Sequence, residues 1–380
     1  MNGLVRKARW LGAVVAAGAL LVTGTEAVAA APAGPAVTVR QGVASDTVAS
    51  DTVALGAKGE SFAVSPDASR AFVVASYDID PGHGARVVRS LDLRTGVSTD
   101  LLTVSSFDMV GRPTVSPDGS RVYVTVNWDL LTFDAVTGGL LARIATPDQP
   151  RPGAMTKGGL NEVTVSPDGT RLWLSQYGPY GVRMGSRAGR VLAYDPATRT
   201  FPGSVTLTGF TVNQVVLGPD ATDAWVGTAD NLYHLDVEGA VPQVIDRVAG
   251  FGSAEAVVPA PDGRTVYASG YREWGTVSLD TLDPATNTFR SGFSLGPFDN
   301  GPQLLGASPD SRRLRVFTGA KTAQAALLSY DPATGAAVPG ETVTGFGLDS
   351  VVQVQLGADG HTLYLAGLQG GGSVLRTVRF

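Results

Sequence analysis

The chain has 380 residues, 43% hydrophobic and 17% charged, so it can bury a core as a folded protein. Its formal net charge is −5 and it has no basic block, which argues against nucleic acid as a partner. It has no cysteine, which excludes disulfides, thiolate metal sites and cysteine nucleophiles. Its 48 glycines and 23 prolines favour short strands and turns over long helices.

Residues 1–29 have the pattern of a secretory signal peptide. Arg6, Lys7 and Arg9 precede the apolar run WLGAVVAAGALLV, and Ala27-Val28-Ala29 supplies a small-residue cleavage site. The run is shorter than the roughly 20 residues that cross a bilayer. We therefore expect a secreted protein with no membrane span after cleavage, the alternative being that the run is retained as a membrane anchor. High alanine and glycine contents and the excess of arginine over lysine indicate a bacterial source. Residues 30–49 are small and polar, and we interpret them as a flexible leader.

A motif written most clearly as TVSPDGSRVYV at Thr114 and TVSPDGTRLWL at Thr164 recurs seven times. The aspartates of its copies are 42 to 52 residues apart: Asp67, Asp118, Asp168, Asp220, Asp262, Asp310 and Asp359. An aromatic residue follows five positions later in every copy except the sixth, which has Arg315 there and Phe317 two positions on. Each copy predicts a strand, a tight turn and a second, alternating strand.

A second turn motif, of the kind YDPATG, lies later in six of the units. Its copies begin at Asp92, Asp134, Asp195, Asp236, Asp283 and Asp331. Glycine or asparagine usually fills the position where a left-handed residue closes the hairpin, but the third copy has Arg199, which must be strained or adopt another turn. Four antiparallel strands per unit, seven times over, predict an all-β, seven-bladed β-propeller over residues 50–380.

The two chain ends are predicted to close the ring. After Asp359 the sequence supplies two further strands and stops at Phe380, so the last blade lacks its fourth strand. The segment SDTVALG, residues 50–56, precedes the first motif as fourth strands do elsewhere. We expect it to pair with residues 373–379 and remove the exposed sheet edges.

These repeated units, VSPDG followed by VYV and YDPATG, resemble the YVTN/lactonase-like seven-bladed propellers over residues 50–380. The resemblance implies the propeller fold. It implies no single activity, because that family includes surface and adhesive proteins, binding modules and lactone-processing enzymes.

Both turn motifs fall on one face of the predicted ring, and the variable loops fall on the other, where binding usually resides. Long loops at residues 146–159 and 176–190 would bring together a basic and aromatic cluster suited to an anionic or sugar-like ligand. Its members are Arg151, Lys157, Tyr177, Tyr180, Arg183, Arg187 and Arg190. The loop of blade 5 adds Tyr271, Arg272 and Trp274. Solvated loop charges without a ligand are the alternative.

Polar residues also recur at the start of each innermost strand, near the mouth of the central channel. Arg112, Glu162 and Glu255 are the catalytic candidates there, and Asn161, Asn213 and Gln214 are ligand-binding candidates. The alternative is a ring of side chains that solvates a water-filled channel. Lactone-processing relatives typically have histidine near this entrance, and this sequence has none at these positions.

The three histidines, His83, His234 and His361, are not at metal-ligand spacing, and we expect no metal or other cofactor. No common catalytic motif occurs in a fitting context. The leading hypothesis is a monomeric binding module for a protein or glycan of the cell envelope or medium. The alternative is a lactonase- or lyase-type enzyme using the channel mouth.

Overall fold

The computed structural model describes residues 50–80, 83–149, 158–178, 188–209, 212–229, 231–248, 253–273, 275–297 and 301–380. None of these residues is helical, and no helix long and apolar enough to cross a membrane is found among them. The expected signal peptide, residues 1–29, and leader, residues 30–49, lie outside the described residues.

Within the ranges just given, twenty-seven strands form seven antiparallel sheets, which are the blades of an all-β propeller. The strands of blades 1 to 3, in chain order, are β2 (Lys58–Val64), β3 (Arg70–Asp80), β4 (His83–Asp92), β5 (Ser98–Ser105), β6 (Thr114–Val115), β7 (Arg121–Val126), β8 (Asp129–Asp134), β9 (Leu140–Ala145), β10 (Leu160–Val165), β11 (Leu172–Gln176), β12 (Ala188–Asp195) and β13 (Thr200–Thr208). Those of blades 4 and 5 are β14 (Val212–Leu217), β15 (Asp223–Thr228), β16 (Leu232–Asp236), β17 (Gln243–Val248), β18 (Ser253–Pro259), β19 (Val266–Glu273), β20 (Thr276–Asp283) and β21 (Thr288–Pro297).

Blades 6 and 7 depart from the simple order. Blade 6 has three regular strands, β22 (Gln303–Ala307), β23 (Leu314–Thr318) and β24 (Ala326–Tyr330). Its fourth, outermost segment is held by two isolated bridges, Leu327 to Val343 and Tyr330 to Ala337. Blade 7 contains β25 (Ser350–Leu356), β26 (Thr362–Gln369), β27 (Gly372–Arg379) and, from the other end of the described chain, β1 (Ser50–Ala54).

The predicted ring closure is confirmed. Strand β1 pairs antiparallel with β27, with Ser50 opposite Val378 and Ala54 opposite Val374. Two arginines reinforce the seam: Arg376 donates from Nε to Thr52 Oγ1 at 3.0 Å, and Arg89 donates from Nη1 to the Leu55 carbonyl at 2.6 Å.

The core consists of seven apolar clusters, each built from two neighbouring blades. The repeated aromatic side chains explain this arrangement, because each reaches across to another blade. Phe72 packs with Val122 of blade 2, Trp173 with Ala224 of blade 4, and Trp225 with Ala268 of blade 5. In the sixth copy Phe317, fully buried, fills this role against blade 7.

The strand order separates two faces. The turn face carries the turns after each first strand and each third strand. The loop face carries the links between blades and the loops between second and third strands. On the turn face the motif serine and aspartate form one network: in blade 2, Ser116 Oγ donates to Asp118 Oδ1 at 2.5 Å, and the Arg121 amide donates to Ser116 Oγ at 2.9 Å.

Candidate functional site

A cavity of about 590 Å³ lies in the central channel, beside the starts of the innermost strands. Its wall is formed mainly by blades 4 to 7, with Arg112 of blade 2 entering from the far side. Its polar lining residues are Arg112, Asn213, Gln214, Glu255, Ser269, Gln303, Lys321, Gln353 and Gln355. Amides predominate, so the wall offers hydrogen-bond donors and acceptors at many points with few formal charges.

Arg112 joins three blades. Its Nε donates to the carbonyl of Phe62 in blade 1 at 3.1 Å, and its Nη2 donates to Gln355 Oε1 in blade 7 at 3.3 Å. Gln353 completes the link, because its Oε1 accepts a hydrogen bond from the Phe62 amide at 2.6 Å. Two of the five N–H donors of this guanidinium are therefore committed to joining blades.

Glu162 is half-buried on the inner strand of blade 3. Burial raises the pKa of its carboxyl group, and the positive charge of Arg112 opposes that rise. Burial likewise lowers the pKa of Arg112, opposed by Glu162. Among the described residues, the carboxylate has neither an ion pair within 4.0 Å nor a hydrogen bond. The two candidates, on adjacent blades, thus influence each other electrostatically without an ion pair or a hydrogen bond between them.

The two candidate asparagines connect adjacent blades. Asn161 Nδ2 donates to the carbonyl of Val212 at 3.3 Å, and Asn213 Nδ2 donates to that of Ala254 at 2.6 Å. Both positions lie seven residues before a motif aspartate, so the same device repeats from blade 3 to blade 4 and from blade 4 to blade 5. Of the two, only Asn213 lines the cavity.

Gln214 and Glu255 differ from the asparagines because both are exposed in the channel. Gln303 and Lys321 of blade 6, also exposed, line the same cavity. The structure therefore brings Gln214, Glu255 and Arg112 to one cavity, whereas Glu162 does not line it. Lys321 lies in the loop between β23 and β24. The sequence did not indicate it, because the repeated polar positions that gave the candidates all lie at the start of inner strands.

The long loops at blades 2 and 3 are anchored by a buried arginine. Arg190, 2% exposed, donates from Nε to Gln176 Oε1 at 2.5 Å and from Nη1 to the Asp148 carbonyl at 3.1 Å. Gln176, fully buried, donates to the Gly158 carbonyl at 2.7 Å. Burial lowers the pKa of Arg190 to about 10, opposed by Asp148. Arg190 thus holds a link between blades and does not face a ligand.

Of the other residues in the predicted loop cluster, Tyr177 is half-buried, and its carbonyl accepts a hydrogen bond from Gln149 at 2.9 Å. Arg151, Lys157, Tyr180, Arg183 and Arg187 lie outside the described residues, as does Trp274 of blade 5. Tyr271 and Arg272 lie at the loop-face end of β19.

Two aromatic side chains on the loop face of blade 2 were missed from the sequence. Phe107, in the link from blade 1, is 84% exposed, and Trp128, in the loop between β7 and β8, is 47% exposed. Asn127 ties the two segments together: its Nδ2 donates to Asp108 Oδ1 at 2.8 Å, and its Oδ1 accepts from the Met109 amide at 2.9 Å. The available signal was a bulky apolar residue inside each short polar turn, SSFDM and NWD.

The described residues contain no group of three side chains with the composition of a metal site. His234 has a packing role on the outer part of blade 4. Its ring stacks on Trp225 with centroids 4.1 Å apart, and its Nε2 lies 2.7 Å from Asp223 Oδ2.

No protein-family model matches the chain, and no curated protein matches it. Among solved structures, 1379 chains match, so the architecture is common and carries no information about a ligand by itself. One is a chain from the crystal structure of a mitotic checkpoint complex, with a TM-score of 0.62 and 17% identity. The match covers 95% of this chain and 99% of that one. At this identity the likeness shows the fold alone.

Proposed function

We propose that this chain is an exported propeller of the YVTN/lactonase-like kind. In this proposal it binds a protein or glycan of the cell envelope or medium through its loop face. The observation that carries the proposal is the contrast between the faces of blade 2. On the turn face, serine and aspartate side chains satisfy the turn backbone, whereas the loop face exposes Phe107 and Trp128 on a braced support. Exposed aromatic side chains of this kind supply contact area for protein and sugar ligands.

Two substitutions on opposite faces of blade 2 test the binding face. We expect the purified chain to sediment with bacterial peptidoglycan or to be retained by an envelope protein fraction. A Phe107→Ser/Trp128→Ser variant should lose that interaction. Val136→Ser is the matched control, because Val136 is 70% exposed on the turn face of the same blade. Equal retention by both variants, or no interaction with either probe, would refute the proposed surface.

Export is tested separately. A chain recovered from the culture medium should begin at Ala30, which intact-mass measurement will determine. Retention of residues 1–29 on protein kept inside the cell would contradict the proposed secretion without bearing on the binding face.

A second candidate function rests on Glu162. A half-buried carboxyl group with a raised pKa, influenced by Arg112 across the channel, could act as a general acid or base in a lactonase or lyase. Turnover of a panel of lactones by the purified chain, abolished in Glu162→Gln without loss of folding, would favour catalysis over binding alone.

A further inference from the structure

Two junctions between adjacent blades, 3/4 and 4/5, have polar contacts on the turn face that latch one blade to the next. The residue three positions after the motif aspartate of blade 3 is Arg171, and its guanidinium reaches the hairpin turn of blade 4. It donates to the Glu238 carbonyl at 2.7 Å and the Val237 carbonyl at 3.4 Å, and it also contacts that of Gly239. The cation is therefore satisfied by carbonyl groups of the following blade.

The junction between blades 4 and 5 is latched by different groups at corresponding positions. Asp223, again three positions after the motif aspartate, lies 2.7 Å from His234 Nε2. His234 Nδ1 lies 2.9 Å from Oδ1 of Asn287, the left-handed residue in the hairpin turn of blade 5. A polar group of one blade again contacts the turn of the next.

The junction between blades 2 and 3 has the corresponding residues but lacks that contact. Arg121 is the counterpart of Arg171, and Arg199 is the counterpart of Asn287. Both line a groove of about 270 Å³, the 2/3 groove, with Thr132, Leu141, Ala142, Tyr194, Pro196 and Ala197. No ion pair in the described parts of the chain includes either arginine.

Both arginines act on the same phenol. Burial raises the pKa of Tyr194, and Arg199 and, more weakly, Arg121 oppose that rise. Arg121 also lies beside the hydroxyl of Tyr123, where it lowers that pKa against the effect of burial. Two arginine side chains, one from each blade, therefore line one groove, whereas the junctions of blades 3/4 and 4/5 have polar contacts between the blades.

Arg199 occupies this place against its backbone preference. Its φ is +58°, whereas Gly96, Gly138 and Gly335 fill the same position in three other blades. A left-handed conformation is strained for a residue with a Cβ, and such strain is concentrated at functional sites. A large cationic side chain at a position that usually has glycine therefore strains the backbone of the turn.

Among the described residues, no nearby carboxylate forms an ion pair with Arg121 or Arg199, although the charge of Arg121 contributes weakly to the lowered pKa of Asp118. Asp118 accepts hydrogen bonds from Ser116 and Ser120, and its Oδ1 lies 3.0 Å from the Ser120 amide. Asp134 and Asp195 each accept amide hydrogen bonds within their own turns. These groups leave the two guanidinium groups to an external partner.

We propose that the 2/3 groove binds a tetrahedral oxyanion, phosphate or sulfate, free or as a terminal monoester, which bridges Arg121 and Arg199. Planar guanidinium groups bind such anions through paired, charge-assisted hydrogen bonds. A bound anion would join blades 2 and 3, as Arg171 directly joins blades 3 and 4 at the next junction. The site lies on the face opposite the proposed ligand surface and is independent of it.

Titration of the purified chain with inorganic phosphate at constant ionic strength tests this proposal. We expect saturable binding and a higher melting temperature. Arg199→Gly should fold well, because it relieves the backbone, but should weaken phosphate binding by about tenfold or more. Arg121→Gln should show the same loss. Arg94→Ala is the matched control, since Arg94 is exposed in the corresponding turn of blade 1.

Three ligands distinguish the sources of the anion. Binding of inorganic phosphate but not glycerol phosphate identifies the free ion, and comparable binding of both identifies a terminal monoester; glycerol alone should not bind. Absence of binding by both phosphates, or equal binding by wild type, Arg199→Gly and Arg121→Gln, would overturn the proposal.

Discussion

The guanidinium of Arg89 in blade 1 donates to the carbonyl of Leu55, the residue that follows the strand closing blade 7. Arg89 Nε also donates to Asp100 Oδ1 at 2.6 Å, and that bond is the main reason for its raised pKa, which burial opposes. The seam of the ring is thus held by side chains as well as by the β1–β27 pairing.

Deletion of residues 51–55 should lower the melting temperature of the whole ring, because it exposes an edge of β27 and removes Leu55 from the cluster shared by blades 7 and 1. Differential scanning calorimetry will measure the shift. Deletion of residues 30–49 is the control and should leave the transition unchanged. An unaltered melting temperature after removal of 51–55 would contradict a stabilising role for the seam.

The motif turns contain three L-residues in the left-handed conformation. Ala68, Ala221 and Ser311 have φ of 56°, 58° and 57° where other copies have glycine. Replacing Ala68 or Ala221 by glycine should stabilise the chain by about 1 kcal/mol, since the strain exceeds the entropy that glycine costs. Ser311→Gly should gain less, because it also removes the hydrogen bond that the Ser311 hydroxyl accepts from the Asp262 amide. Chemical denaturation will measure the change. Gly119→Ala, at φ +72° and with its new Cβ in ordinary contact, should have the opposite sign.

The serine–aspartate turns should make the fold sensitive to acid. The Ser116 hydroxyl and the Ser120 amide and hydroxyl lower the pKa of Asp118 to about 2, from an ordinary value of 3.8. A carboxylate whose pKa is lowered by folding stabilises the fold at a pH above the pKa that it has in the unfolded chain. That contribution is lost as pH falls from about 4 toward about 2. Ser116→Ala should raise this pKa, and NMR titration of the Asp118 carboxyl carbon will show it. An unchanged titration would contradict the assigned cause.

The sixth motif should depend on Phe317. Because Arg315 occupies the usual aromatic position, Phe317 supplies the apolar contact between blades 6 and 7. Phe317→Ala should cost about 3–5 kcal/mol, as Trp225→Ala should in blade 4. Equilibrium unfolding of the two variants will compare them, and a cost below about 1 kcal/mol for Phe317→Ala would show that the cluster does not need it.

Glu162→Gln should raise stability at neutral pH. The pKa of Glu162 is raised in the folded chain. When the pH is above the pKa that this carboxyl group has in the unfolded chain, its ionisation therefore favours unfolding, and glutamine removes that effect. The gain should vanish below about pH 4, where the carboxyl group is protonated in both states. Arg112→Met should instead destabilise at all these values, because it breaks hydrogen bonds to Phe62 and Gln355. Thermal unfolding across pH will compare the variants.

The sequence predicted the architecture because turns and strand alternation are local properties repeated seven times. The left-handed Arg199 was foreseen as a strained residue from its place in the hairpin motif, and its φ of +58° confirms this. Blade 6 was less regular than predicted: Arg315 forms an ion pair with Glu341 at 3.3 Å, and the outermost segment is joined by single bridges. That pairing depends on the partner strand, which the motif alone does not specify.

The site was less predictable because its geometry depends on distant residues. Arg112 was expected at the channel mouth. Its hydrogen bonds to Phe62 and Gln355 join positions far apart in sequence and give it a structural role that the sequence did not indicate. Arg190 was expected in an exposed cluster, yet it is buried under the link it supports. Burial of a charged residue depends on the neighbouring carbonyl groups, and these are known only once the chain is folded.

Each apolar cluster contains side chains from two neighbouring blades. A single blade cut from the ring would leave both of its broad surfaces in water, so the unit visible in the sequence is not an autonomous module. Insertion or loss of one copy would change the angle between all the remaining pairs of neighbouring blades.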